Sequence, residues 1–113
     1  MLRLKRKQLR EIAADRILIL DGAMGTMIQG YGLGEDDFRG KLLADHPVDL
    51  KGNNDILCLT RPEVISEIHH DYLAAGADII TTNTFNGTSV AQSDYQTSHL
   101  VRDINVAAAK LAR

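Results

Sequence analysis

Two short apolar runs, each opening into a loop of glycine or small polar residues, constrain the fold of this chain most. The first, Ile17-Leu18-Ile19-Leu20 between Arg16 and Asp21, is short and β-branched enough to predict a strand buried on both faces. It opens into Asp21-Gly22-Ala23-Met24-Gly25-Thr26-Met27, where two glycines permit close backbone approach before Met27 and Ile28 begin a helical turn. The second, Ala77-Asp78-Ile79-Ile80-Thr81-Thr82, opens into Asn83-Thr84-Phe85-Asn86-Gly87-Thr88. Between them, Thr60-Arg61-Pro62-Glu63 has the form of a capping box with Pro in the first helical turn. Val64, Ile65, Ile68, Tyr72 and Ala75 continue an apolar stripe, and Gly76 stands where a helix end needs a left-handed residue. Strand, loop, helix, strand, loop predicts a βαβ unit with a parallel crossover.

The flanking segments are less regular. Residues 1–16 carry six Lys or Arg against two acids and predict a solvated amphipathic helix with Leu2, Leu9, Ile12 and Ala13 on one face. Without aromatic or base-reading residues, this basic arm does not predict nucleic-acid binding. Residues 30–54 hold five glycines, an acidic Glu35-Asp36-Asp37 and a helix-breaking His46-Pro47, with room for a small helix over Phe38–Ala44. From Thr97 onward Leu100, Ile104, Ala107 and Leu111 recur at helical spacing. No Gly or Asn cap and no Pro closes the pattern at Arg113, so the sequence reads as cut in mid-helix and a longer parent polypeptide is expected.

Several chemistries are excluded or weakened. With 113 residues, 44% hydrophobic, 25% charged and a net charge of −2, the chain reads as one modest soluble domain and not as a disordered or fibrous one. Its apolar runs are far too short for a membrane span, and no export signal follows the basic start, which points to the cytoplasm. The lone Cys58 cannot form an internal disulfide or a two-thiolate zinc site from this chain alone, and its apolar neighbours predict a buried, inert thiol. Gly30-Tyr31-Gly32-Leu33-Gly34 is no nucleotide fingerprint, adjacent His69 and His70 face different sides of a helix, and Asn86-Gly87-Thr88 reads as a turn.

What remains is Asp21, Gly22 and Gly25 beside Asn83 and Thr84, at the carboxyl ends of the two predicted strands, where α/β folds bind ligands. Glycine N–H groups can reach a carboxylate, Asp21 can hold an amine or orient a water, and Asn83 and Thr84 offer neutral hydrogen bonds. The alternative is that Asp21 and Gly22 simply end a strand.

Three segments in order, Leu20–Gln29, Asp49–Glu63 and Ala77–Thr88, resemble the homocysteine S-methyltransferase family, and within it the cobalamin-dependent branch. The resemblance implies a (β/α)8 barrel, which needs about 250 residues. This chain would be its incomplete N-terminal part, residues 1–113 of a homocysteine-binding domain, with the remaining barrel and the folate, cobalamin and activation domains elsewhere. It further implies transfer of a methyl group from methylcobalamin to homocysteine, remethylation from 5-methyltetrahydrofolate, and reactivation by S-adenosylmethionine. By the same resemblance Asp21, Gly22, Ala23 and Gly25 cradle the amino-acid end of homocysteine, while Asn83 and Thr84 line the pocket. The family's Zn²⁺ is held by three cysteines, expected downstream of Arg113 because Cys58 lies in none of those motifs. A stand-alone enzyme using betaine or S-methylmethionine, and a small non-catalytic binding module, are the alternatives.

Overall fold

The structure, a computed structural model, describes residues 4–113. Leu2, placed by the sequence on the apolar face of the first helix, lies outside the described residues. Helices dominate: α1 (Arg6–Asp15), α2 (Met24–Gln29), α3 (Glu35–Arg39), α4 (Leu57–Thr60), α5 (Pro62–Ala74), α6 (Ser89–Ser93) and α7 (Val101–Ala112), with 3₁₀ turns at Asn54–Ile56 and Ser98–Leu100.

The core lies where α5 packs against α2, α4 and α7. Leu50, Ile56, Leu57, Ile65, Ile68 and Ile104 are fully buried there, each burial contributing about 1.5–3 kcal/mol. Pro62 opens α5 where its missing N–H costs nothing, and Gly76 follows the helix with φ +109°, the left-handed stop its sequence position predicts. The capping box is not formed. Thr60 belongs to α4 and its hydroxyl donates back to the Ile56 carbonyl at 3.3 Å, so it is not available to cap α5. The expected helix over Phe38–Ala44 instead runs over Glu35–Arg39, ended by Gly40 at φ +56°.

The expected barrel start is overturned. Among the described residues there is no β-strand, and the two apolar runs meet in a single parallel bridge between Leu20 and Ile79. Side chains terminate the ladder at both ends. The Ile19 N–H donates to the Asp78 carboxylate at 2.9 Å, and the Thr81 N–H donates to the Asp21 carboxylate at 3.0 Å, where a sheet would use backbone carbonyls. Nor are the runs buried on two faces, since Ile17 is 87% exposed and Ile19 and Leu20 are 57% exposed. A parallel strand depends on cover from both sides, and among the described residues no element covers Ile17, Ile19 and Leu20. What results is a small helical fold with two loops pinned edge to edge.

That pinning extends to α1. Arg16, just after the helix, makes a two-pronged pair with Asp78 at 2.6 and 2.9 Å. The guanidinium and the Ile19 N–H hold the Asp78 carboxyl at about 2, well under the usual carboxylate range. The long 30–54 excursion is tied in similar fashion. Glu35 accepts the N–H groups of Leu50 and Lys51 and the Nε of Arg39, while Arg39 donates to the carbonyls of His46 and Val48.

Candidate functional site

The Asp21 backbone N–H donates to the Ile79 carbonyl at 2.8 Å, which sets the first loop beside the second. Its carboxylate then accepts both the N–H of Thr81 at 3.0 Å and the Thr81 hydroxyl at 3.1 Å. With the loops held this way, Gly22, Gly25, Asn83 and Thr84 line one cleft of about 410 Å³, joined by Met24 and the 95% exposed Phe85. Four of the six residues expected at the site therefore share a wall. Asp21 and Ala23 are not among the lining residues: Asp21 reaches the cleft edge through its bonds to the lining residue Thr81, and the Ala23 carbonyl accepts the Tyr72 hydroxyl at 2.8 Å.

Asn83 is oriented differently from the sequence reading. It is buried, and its Nδ2 donates to the Asn54 carbonyl at 2.8 Å and faces the Cys58 sulfur at 3.5 Å. Its amide N–H groups therefore serve the interior. Cys58 donates weakly back to the Asn83 carbonyl, and burial pushes the thiol up to about 11, so it is a neutral thiol near neutral pH. Thr84 shares a hydrogen bond between hydroxyls with Thr82 at 2.7 Å.

Beneath the second loop lies a polar network that no motif announces. Gln92, fully buried on α6, exchanges two bonds with the Asn53 amide at 2.8 and 3.1 Å, accepts from the Thr97 hydroxyl at 2.7 Å and donates to the Asn86 carbonyl at 3.0 Å. Asp55 completes it by accepting the Asn86 N–H at 2.9 Å. Burial raises the Asp55 carboxyl above its ordinary value against the pull of that bond. Thr88, read only as part of a turn, caps α6 by accepting the Ala91 N–H at 3.2 Å. His69 on α5 is buried, and neither ring nitrogen has a partner among the described residues. Burial holds its imidazole below the usual range, with the charge of Asp21 opposing.

Zinc, implied by the resemblance, does not fit these residues. Among the described residues no three His, Cys, Asp or Glu side chains stand together as a cage, and the one thiol is buried and protonated. Methylcobalamin does not fit the cleft either, whose volume of about 410 Å³ is too small to enclose a corrin ring. No helix among the described residues is long and apolar enough to cross a membrane.

The loops that build the cleft fall within a longer match. The family model described as homocysteine S-methyltransferase covers residues 18–113, from the first apolar run through both loops to the last helix. On that match, this chain belongs to the homocysteine S-methyltransferase family, a family of methyltransferases.

Proposed function

We propose that this chain supplies the homocysteine-holding loops of an enzyme of the cobalamin-dependent methionine synthase type, working in the cytoplasm. The observation that carries the reading is the cleft itself, which Gly22 and Gly25 from one loop and Thr84 from the other line together. The Asp21 carboxylate, bound on one side by Thr81, keeps lone pairs for the substrate ammonium. Backbone N–H groups near the two glycines receive the substrate carboxylate, since no side chain there blocks approach. Met24 and Phe85 give the thiol-bearing carbon chain an apolar flank.

In this reading the residues described here bind and orient homocysteine but do not activate its sulfur. Zinc, methylcobalamin, 5-methyltetrahydrofolate and S-adenosylmethionine belong to parts of the enzyme outside residues 4–113, and the overall reaction yields methionine. The test is donor dependence in the protein that carries this chain. Homocysteine methylation supported by methylcobalamin, and not by betaine or S-methylmethionine, is the expected result. Turnover with either of the other donors alone would reassign the enzyme within the family, and absence of homocysteine binding at the cleft would remove the reading altogether.

A further inference from the structure

Tyr72 touches the first loop through its side chain and the start of the second apolar run through its backbone. Its hydroxyl donates to the Ala23 carbonyl at 2.8 Å, and its own backbone carbonyl accepts the Ala77 N–H at 3.0 Å in the turn that leads into the second loop. Its ring also fills the space beside Gly22. A methyl group at position 22 would lie 3.1 Å from the Tyr72 hydroxyl oxygen and 3.3 Å from Cε1, tighter than ordinary van der Waals contact. The ring is anchored from below, packed against the core cluster.

We infer that Tyr72 is a positioning residue for the homocysteine loop, its side chain fixing the Gly22–Ala23 backbone. The inference rests on the functional reading above. Its physical basis is the planarity of the peptide. With the Ala23 carbonyl turned onto the Tyr72 hydroxyl, the N–H of Met24 in the same trans plane faces away from Tyr72, and Met24 lines the cleft. Losing the hydroxyl frees that plane to rotate, so the loop samples orientations that no longer suit the substrate. Glycine at 22 is then explained by the ring against it and not by a left-handed backbone, since Gly22 is absent from the positive-φ glycines.

The experiment combines Tyr72→Phe, Gly22→Ala and the double variant. In the protein that carries this chain, Tyr72→Phe should raise the homocysteine KM about two- to tenfold, the range for loss of one neutral hydrogen bond, with a smaller change in kcat. Gly22→Ala should weaken homocysteine use further, and adding Tyr72→Phe should recover part of that loss, because the removed oxygen is the atom nearest the new methyl. In the full 113-residue chain, Tyr72→Phe should move the amide resonances of Ala23 and Met24. Unmoved loop resonances, or a moved loop with unchanged KM, would overturn the inference. If the unaltered protein shows no dependence on homocysteine, the functional reading fails, and the loop resonances alone decide whether Tyr72 holds the loop.

Discussion

Replacing Asp21 separates the structural tie from the substrate contact. Two solvent-exposed bonds to Thr81, at 3.0 and 3.1 Å, are lost in Asp21→Ala. At about 1 kcal/mol each for exposed groups, the fold should lose about 2 kcal/mol. Thr81→Val removes only the hydroxyl bond and should cost about 1 kcal/mol. The substrate contact is a separate quantity. A carboxylate has about four lone-pair sites, so an ammonium can still be accepted beside Thr81, and a charge-assisted bond of about 1.5–3 kcal/mol corresponds to about a ten- to hundredfold rise in homocysteine KM. Urea denaturation measures the first effect and steady-state kinetics the second. Methyl transfer from folate to cobalamin, measured alone, should be largely unchanged in Asp21→Ala because it does not use this cleft. Equal loss of both half-reactions would refute the assignment, as would a Thr81→Val variant whose homocysteine KM rises as much as that of Asp21→Ala.

Other outcomes follow from the same geometry. Gln92→Leu strands both polar ends of the buried Asn53 amide, while the Thr97 hydroxyl keeps the backbone carbonyl of residue 92 at 3.1 Å, so urea denaturation should show a loss of about 2 kcal/mol or more; a loss under about 1 kcal/mol would mean that water repairs the network. Cys58, with its thiol at about 11, should resist alkylation at pH 8 until the chain unfolds, and Cys58→Ser should leave the zinc content of the parent protein unchanged. Asp78 sits at about 2 when folded against an ordinary 3.8, so its stabilising effect is complete above about pH 4 and is lost as pH falls through about 2. Asp78→Asn should flatten the pH dependence of stability in that window, and an unchanged acid limb would show that the Arg16 pair does not bear on folding.

The sequence by itself determined the parts whose signals are local. The stripe from Val64 to Tyr72, Pro62 at the head of α5, Gly76 beyond its end and the Ile104, Ala107 and Leu111 spacing of α7 each act within a turn or two, and each is where it was expected. It expected Asp21-Gly22 beside Asn83-Thr84 at the ends of two apolar runs paired as strands, and the structure brings Gly22, Asn83 and Thr84 into one cleft without those strands, through the single Leu20–Ile79 bridge. Only the tertiary structure decided whether those runs become strands. Strand formation depends on partners outside the segment, and here the carboxylates of Asp78 and Asp21 take the N–H groups of Ile19 and Thr81, leaving one bridge and an exposed Ile17. Nor could Asn83 be read as facing inward, or Gln92 as the centre of a buried network. Asn54 and Cys58 stand 29 and 25 residues from Asn83, and Asn53 stands 39 from Gln92, so these partners become neighbours only in the tertiary fold.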